Sequence, residues 1–407
     1  MTAPAEAPVA QSGTTRLGRD YTLLWTGQFC SMAGTMIQYI ALPLWVLSET
    51  GSAVGSGLAF AVETLPIIIL APWAGLMADR YDRRRLVLLA ESVSAVVVVA
   101  MALSVRAHSI VGALACAAVI KTINTISVPA LQGLIRAVLP AETALPKAVS
   151  RFEGLTGATI VLGPPAGALL FSALGPSAAL LANAASFVIG GACVTAIRSQ
   201  QPLAAPVASR PRPRLGNGLA IVRGTAALRR LLAAEAAYFL FFGGTTAVVI
   251  THAAGLVGEA LAGWYPACVG AAWLFVSMLI LPARKRAPRR ALLTGAVLIP
   301  AAAAFVAAME ISPPALLLIA GVWAGAANSL VASGASLGWQ QLVEPDSIGQ
   351  VVALRRSVTN GALALSSVAL PYLADWFSPG QALLVGGVLA TTLIVVLMGG
   401  RDLADRT

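Results

Sequence analysis

Two ionisable residues lie deep within long apolar segments, where an isolated charge is costly. Glu63 falls in the apolar run 54–78 and Lys121 in the run 109–135. At a helical rise of about 1.5 Å per residue, Lys121 lies about 18 Å and Glu63 about 14 Å below the same predicted membrane face. Each charge costs about 2.5–3.5 kcal/mol at the centre of a bilayer. We expect the two to form a buried pair, either a proton-sensitive switch or a static ion pair that fixes helix packing.

A carboxylate surrounded by guanidinium groups follows the second apolar run. The segment reads Gly75-Leu-Met-Ala-Asp79-Arg80-Tyr-Asp82-Arg83-Arg84-Arg85. Asp79 can accept from an arginine or face the positive end of a neighbouring helix. Contacts that hold in one conformation and break in another are typical of a gate. The alternative is a basic loop that serves only to orient the chain in the membrane.

A proline pair flanked by glycines interrupts the fifth apolar run, in the segment Gly163-Pro164-Pro165-Ala166-Gly167-Ala168. Proline removes a backbone donor and bends a helix, and the glycines allow a partner helix to approach. The pattern predicts a kinked, closely packed helix. A kink without any bearing on the direction of transport is the alternative.

One side of the first apolar run is polar. The residues that share this face at 100° per residue are Gln28, Ser31, Met32, Thr35 and Tyr39. Lipid does not favour such a face, so we expect it to line a cavity, unless it serves hydrogen bonds between helices. Four charged residues lie near the inner ends of their runs, within reach of cytoplasmic water or arginine clusters: Glu91, Glu235, Arg355 and Arg356. We expect them to act as anchors, with proton carriage as the alternative for the two glutamates.

Composition identifies the solvent in which these elements fold. The chain has 407 residues, of which 58% are hydrophobic and only 11% charged, and its mean hydropathy is +0.82. Soluble proteins carry about 25% charged residues. The small apolar residues favour closely packed helices over lipid-facing strands. The sequence therefore predicts an all-α membrane protein.

Twelve apolar runs are long enough to span a bilayer at about 20 residues each. They fall at 21–47, 54–78, 86–104, 109–135, 148–173, 177–197, 230–252, 258–282, 291–309, 315–340, 349–374 and 379–399. With the N-terminus inside, 25 of the 27 basic residues lie on the inner face. The positive-inside rule therefore places both termini in the cytoplasm. The net charge of +10 records this orientation and does not indicate nucleic-acid binding.

The predicted spans divide into two groups of six, separated by a Pro- and Arg-rich stretch. The predicted segments are a cytoplasmic tail 1–20, an N-terminal six-helix bundle 21–197, a cytoplasmic linker 198–229, a C-terminal six-helix bundle 230–399 and a cytoplasmic tail 400–407. Repeated six-helix units are a recurrent transporter architecture with the substrate at the interface of the halves. The isolated Cys and His residues predict no metal site, and the absence of a nucleotide-binding loop argues against ATP as energy source.

The segment from Gly75 to Arg85 resembles the signature G-x-x-x-D-R-x-x-R-R of the major facilitator superfamily. The residues upstream of this segment are similar to those of drug/proton antiporters of the macrolide-efflux and enterobactin-exporter type. The similar residues are Gly27-Gln28, Ser31, Gly34, Thr50-Gly51-Ser52, Leu65-Pro66 and Pro72. The resemblance implies the major facilitator fold, twelve transmembrane helices in two six-helix bundles.

The resemblance also implies roles for further residues. Asp79 is expected to meet Arg136, at the inner end of the fourth helix, and the segment that opens at Ser347 to Gln350. Gly163, Pro164 and Gly167 resemble the antiporter motif G-x-x-x-G-P-x-x-G-G, although Thr159 and Ala168 replace its first and last glycines. Lys121-Thr-Ile-Asn124 loosely matches an R-x-x-Q-G motif. In the helices that line the family's cavity, three residues lie at mid-depth: Asn124, Tyr238 and Asn328.

Together these features predict a multi-pass transporter of the cell (inner or plasma) membrane, without a cofactor and monomeric. It is expected to export a hydrophobic or amphipathic small molecule in exchange for protons. A metabolite importer or a siderophore exporter on the same fold is the alternative. A membrane enzyme lacks a catalytic constellation in this sequence, and a receptor lacks a signalling domain.

Overall fold

The structure, a computed structural model, describes residues 17–139, 144–198, 215–277, 288–309, 311–343 and 348–399. These residues form α-helices joined mostly by short turns. The first six helices are α1 (Arg19–Thr50), α2 (Ala53–Arg80), α3 (Arg83–Arg106), α4 (Ile110–Ala137), α5 (Leu145–Leu174) and α6 (Pro176–Thr195). The others are α7 (Leu215–Gly224), α8 (Ala226–Val257), α9 (Glu259–Ala262), α10 (Trp264–Phe275), α11 (Pro288–Ala307), α12 (Pro313–Leu342), α13 (Ile348–Trp376) and α14 (Pro379–Met398).

Ten of the described helices are long and apolar enough to cross a membrane: α1, α2, α3, α4, α5, α6, α8, α11, α12 and α14. The chain is therefore a multi-pass helical membrane protein. Two predicted spans lie outside this set. The predicted span 258–282 coincides with α9 and α10 and leaves the described residues after 277. The predicted span 349–374 coincides with α13, whose 29 residues include arginines and several Ser, Thr and Asn residues that lower its hydropathy.

The helices pack in two sets. In the first helix group, α1–α6, the closest associations are α1 with α6 and α5, α3 with α6 and α4, and α2 with α4. In the second helix group, α8–α14, they are α11 with α12 and α14, α8 with α13 and α14, and α10 with α12. Two pairs, α2 with α13 and α5 with α10, provide most of the contact between the groups.

The α2–α13 contact depends on a missing side chain. Gly57 on α2 lies so close to α13 that an added Cβ would collide with the carbonyl oxygen of Ser367. Small residues allow such backbone approach, and close packing is the main attraction between helices in lipid. Gly57 therefore fixes the distance between the two helix groups at this end.

The predicted linker 198–229 is partly helical, which its composition did not indicate. Its residues 199–214 lie outside the described part of the chain, but α7 packs against α13 and α8. Val222 on α7 is buried and Ile221 packs against the same apolar core. The Pro- and Arg-rich composition of the whole stretch gave no indication of this short apolar face of α7.

We predict that Gly57→Ala lowers the thermal unfolding midpoint of the purified protein. Forcing a methyl group into a closed helix contact costs about 1–3 kcal/mol, which exceeds the gain of about 1 kcal/mol from replacing a helical glycine. Gly154→Ala is the matched control because a Cβ on this exposed glycine of α5 meets nothing within 4 Å, so its midpoint should rise or stay unchanged. Equal midpoints for the two variants would contradict the close α2–α13 contact.

Candidate functional site

A chain of buried polar side chains runs through the first helix group. Asn183 on α6 donates from Nδ2 to the Gln38 side-chain oxygen at 2.7 Å, and Ser186 donates to the Asn183 carbonyl. Asn183 and Gln38 are fully or almost fully buried. The Gln38 side chain in turn hydrogen-bonds the Glu63 carboxyl. A polar connection therefore leads from α6 through α1 to the ionisable residue on α2.

Glu63 and Lys121 face one another across the contact between α2 and α4. The carboxyl of Glu63 interacts electrostatically with the Lys121 ammonium group and accepts the Gln38 hydrogen bond. Both residues are half-buried. An amide donor and a cation are the two kinds of neighbour that make a buried carboxylate tolerable. The arrangement fits a pair whose strength depends on the charge of Glu63.

Tyr39 connects this pair to the second helix group. Its ring packs edge-on against Phe60 with centroids 5.0 Å apart, and its hydroxyl interacts with the Glu63 carboxyl. The same hydroxyl also lies beside the side-chain hydroxyl of Thr246 on α8. One phenol group thus contacts the candidate proton site and the opposite helix group.

An apolar, aromatic cavity lies among the helices of the second helix group. Its lining residues, on α8, α10, α11, α12 and α14, are Tyr238, Phe241, Phe242, Thr245, Tyr265, Ile299, Ala302, Ala303, Val306, Ala324, Ala327 and Leu383. Tyr238 stacks on Phe242 with centroids 5.5 Å apart. The cavity remains open because the alanines of α11 and α12 have small side chains. The aromatic rings of α8 and α10 provide flat apolar surfaces.

Tyrosine hydroxyl groups connect this cavity to the polar chain. Tyr238 donates to Oδ1 of Asn328 at 3.0 Å and interacts electrostatically with Tyr265. Tyr265 interacts in the same way with Tyr39. Polar groups of both helix groups therefore converge between Glu63 and the aromatic cavity.

The residues predicted to line a cavity fall into two sets. Met32, Thr35, Tyr39, Asn124 and Asn328 are half-buried, while Tyr238 is buried and lines the aromatic cavity.

Gln28 lies elsewhere, with Ser31. Its amide donates to Oε1 of Glu91 at 2.8 Å, between α1 and α3. Glu91 itself is only 6% exposed, so it does not reach water as an anchor. The buried carboxylate needs donors, and the first part of the polar face of α1 supplies them.

The predicted gate is described in part. Gly75, Asp79 and Arg80 belong to residues 71–80, whose side chains lie outside the described part of the chain. Arg136, in the last turn of α4, is exposed.

The other arginines of the motif pack against neighbouring helix ends. Arg83 lies against Gly133 of α4. Arg84 donates to the carbonyl oxygens of Val194 at 3.1 Å and Thr195 at 2.7 Å, at the end of α6. A guanidinium group satisfies helix-end carbonyls and complements the negative end of the helix dipole.

The second helix group repeats this arrangement. Arg289, at the start of α11, donates to the carbonyl oxygens of Met398 at 2.7 Å and Gly399 at 3.3 Å, at the end of α14. In each group, an arginine at the start of one helix, α3 or α11, therefore binds the end of the last helix of the group. The positions of both arginines in predicted basic loops did not indicate these contacts.

The proline-containing segment of α5 packs between two helices. A Cβ at Gly163 would collide with the Cβ of Met36, and one at Gly167 would stand 2.7 Å from the carbonyl oxygen of Ile37. On the other side, Gly263 lies against the Pro164 carbonyl. The segment thus touches α1 and also the start of α10 in the second helix group.

A buried ion pair, not foreseen in its full form, joins three helices of the second group. Glu235 on α8 is fully buried. Arg355 on α13 donates to it from Nε at 2.8 and 2.9 Å and from Nη2 at 2.5 Å. Trp339 on α12 completes the site, with Nε1 donating to Oε2 at 2.9 Å. Sequence spacing indicated that Glu235 and Arg355 were anchors but provided no signal for Trp339.

No group of three or more His, Cys, Asp or Glu residues suited to a metal ion occurs among the described residues. The four cysteines are unpaired thiols on four different helices.

The comparisons with known proteins agree with this architecture. Residues 24–358 match the model of the Major Facilitator Superfamily, and the chain belongs to this family of transporters. It is 25% identical over 394 residues to the uncharacterized MFS-type transporter YfiS of Bacillus subtilis (strain 168), covering 94% of this chain and 93% of that protein.

A second relative is named for export. The chain is 26% identical over 184 residues to macrolide efflux protein A of Streptococcus pyogenes, in a match that covers 44% of each protein. Among solved structures, a point mutant of the nucleoside transporter NupG superposes with a TM-score of 0.80 at 11% identity, over 94% of this chain and 99% of that one. This last likeness shows the fold.

We predict that Arg355→Ala destabilises the protein strongly. Removing the cation leaves the Glu235 carboxylate buried without its charge partner, which costs about 3–5 kcal/mol, and the thermal unfolding midpoint should fall. Arg356→Ala is the matched control because the adjacent Arg356 side chain is exposed. The double variant Arg355→Ala, Glu235→Gln should recover part of the loss. Equal midpoints for the two single arginine variants would contradict the account.

Proposed function

We propose that this transporter exports a hydrophobic or amphipathic small molecule in exchange for protons. Twelve transmembrane helices form two six-helix bundles that rock about a site near the membrane midplane, with both termini in the cytoplasm. The observation that carries the proposal is the contact of Tyr39 with both Glu63 and Thr246. It joins an ionisable residue of the first helix group to a helix of the second.

The proton step acts through the charge of Glu63. As a carboxylate, Glu63 attracts Lys121 and accepts from Gln38. When a proton binds the carboxylate, the attraction to Lys121 is lost and the field at the Tyr39 hydroxyl changes. Tyr39 contacts Thr246 of the second helix group, so protonation alters a contact that must break and re-form when the groups move.

The substrate class follows from the aromatic cavity. Its lining residues are uncharged, and its polar atoms are tyrosine and threonine hydroxyls. Such a surface suits ring systems and branched alkyl groups better than sugars or polyanions. An amphipathic molecule can place its apolar part there and direct its polar part towards Tyr39 and Glu63.

Export is supported by the proline-containing segment of α5, which resembles the antiporter motif, and by a relative named for macrolide efflux. Gly163, Pro164 and Gly167 form this segment, and the turn around Asp79 acts as the cytoplasmic gate that stabilises the outward-facing state. The alternatives, a metabolite importer or a siderophore exporter, differ in the direction or the cargo of transport. Growth of an efflux-deficient host in a panel of antibiotics, with and without this protein, first identifies a cargo.

We predict that Glu63→Gln abolishes the stimulation of transport by a pH gradient. The amide keeps the size of the side chain but cannot exchange a proton. In vesicles with an imposed pH gradient, uptake of ethidium or a radiolabelled macrolide should fall at least tenfold, equivalent to about 1.4 kcal/mol. Glu49→Gln is the matched control, since Glu49 pairs with the exposed His108 at the end of α1. If Glu63→Gln transports normally while Lys121→Ala does not, the coupling role of Glu63 is refuted.

We predict that Ala303→Leu narrows the range of exported molecules. Ala303 is 3% exposed and lines the aromatic cavity, so the larger side chain occupies space that a bulky substrate requires. Protection of the host against a macrolide should fall at least fourfold, while protection against the smaller ethidium should fall less. Ala304→Leu is the matched control on the exposed side of the same helix. An unchanged protection profile in a well-expressed Ala303→Leu protein would exclude the cavity as part of the substrate site.

A further inference from the structure

Glu91 on α3 is a buried carboxyl group that the proposed transport mechanism does not use. Its side chain is 6% exposed and lies about 12 Å along α3 from Arg83 at about 1.5 Å per residue. Oε1 accepts from Nε2 of Gln28 at 2.8 Å and from Oγ of Ser31 at 3.3 Å. Oε2 is buried and has no hydrogen-bond partner among the described residues.

The packing of α6 against α3 crowds the unpartnered oxygen of Glu91. Gly190 on α6 approaches so closely that a Cβ there would stand 2.6 Å from Oε2. Among the described residues, the thiol of Cys193 on α6 interacts electrostatically with the Glu91 carboxyl, and the thiol of Cys30 on α1 interacts with that of Cys193. The polar contacts shown for Glu91 in the described structure come from an amide and a hydroxyl, and none comes from a cation.

Glu235 provides a direct comparison within the same molecule. It is also buried, but a guanidinium group and an indole N–H bind its two oxygens. Such a site surrounds a carboxylate with a cation and a further N–H donor. Among the described residues, Glu91 has two neutral donors on one oxygen and none on the other. A buried carboxylate without a cation costs far more free energy than a buried neutral acid with one unpaired hydroxyl.

From this geometry we propose that Glu91 is a proton-binding site, separate from Glu63, inside the first helix group. The proton binds Oε2, which converts the carboxylate to a neutral carboxylic acid, while Oε1 continues to accept from Gln28 and Ser31. On release, the proton passes to water and the carboxylate is restored. The ligand of the site is the proton itself, and no other reactant is required.

Proton binding at Glu91 acts on the packing of α1. Ser31 donates to Oε1 of Glu91, and the backbone carbonyl of the same residue accepts from Thr35 one turn further along α1. Thr35 lies on the half-buried face that carries Tyr39. A change in charge at Glu91 therefore alters the strength of the contacts that hold α1 against α3, and α1 carries that change towards the candidate substrate site.

Infrared difference spectroscopy on the full-length protein in lipid vesicles tests whether Glu91 binds a proton. We expect a carboxylic-acid C=O band that disappears when the pH is raised, that is absent in Glu91→Gln and that remains in Glu63→Gln and Glu235→Gln. Gly190→Ala keeps the carboxyl group but crowds Oε2, so the band should change frequency. This variant also serves if Glu91→Gln fails to fold. An unchanged band in Glu91→Gln, or in Gly190→Ala where Glu91→Gln cannot be purified, overturns the proposal.

The inference that Glu91 takes part in transport rests on the proposed proton antiport. A separate experiment tests it. Ethidium uptake by Glu91→Gln vesicles should lose at least tenfold of its response to a pH gradient, while ethidium exchange without a gradient remains. If Glu91→Gln vesicles keep the full response of ethidium uptake to the pH gradient, Glu91 is a static side chain and its proposed role in coupling is overturned. If wild-type vesicles ignore the gradient, the proposed antiport itself fails, whereas the infrared band still decides whether Glu91 binds a proton.

Discussion

The free energy of a carboxylate among apolar helices governs much of this structure, because such a charge costs several kcal/mol unless donors or cations surround it. Three buried or half-buried glutamates meet this requirement in three ways. Glu235 binds a guanidinium and an indole N–H, Glu63 has an amide donor and a nearby ammonium group, and Glu91 has, among the described residues, an amide and a hydroxyl. This order describes decreasing compensation of charge. It separates a structural ion pair from the two groups that we propose to exchange protons.

Close packing then determines which movements can respond to a change in charge. The two helix groups meet mainly through α2 with α13 and α5 with α10, and glycines lie at these contacts. Within each group, the ends of helices are tied by an arginine, Arg84 in the first and Arg289 in the second. Contacts within a group therefore resist separation, whereas the contact from Tyr39 to Thr246 lies between the groups. The rocking movement that we propose breaks this contact and keeps those within each group.

The sequence predicted the helical membrane architecture and the family because both depend on strong, local signals: long apolar runs, clusters of basic residues between them and the segment from Gly75 to Arg85. The estimated depths of Glu63 and Lys121 along their helices also predicted that the two side chains lie near each other. Rotation about a helix axis was harder to predict. Gln28 and Tyr39 share a face of α1 by periodicity, yet Gln28 contacts α3 and Tyr39 contacts α8. Asn183, Thr246 and Trp339 were missed because a single polar residue in an apolar run does not reveal its partner, which is more than a hundred residues away in the case of Trp339.

We propose that proton binding in the first helix group is coupled to substrate movement through the second. Reverse coupling in vesicles tests this proposal. The vesicles contain wild-type protein and a pH-sensitive dye, and no pH gradient is imposed. A gradient of ethidium, or of the macrolide that the growth assay identifies, is applied across the membrane. We expect protons to move opposite to the substrate, so that the lumen becomes more alkaline as substrate enters and more acidic as it leaves. Substrate flux without any change in luminal pH would contradict it.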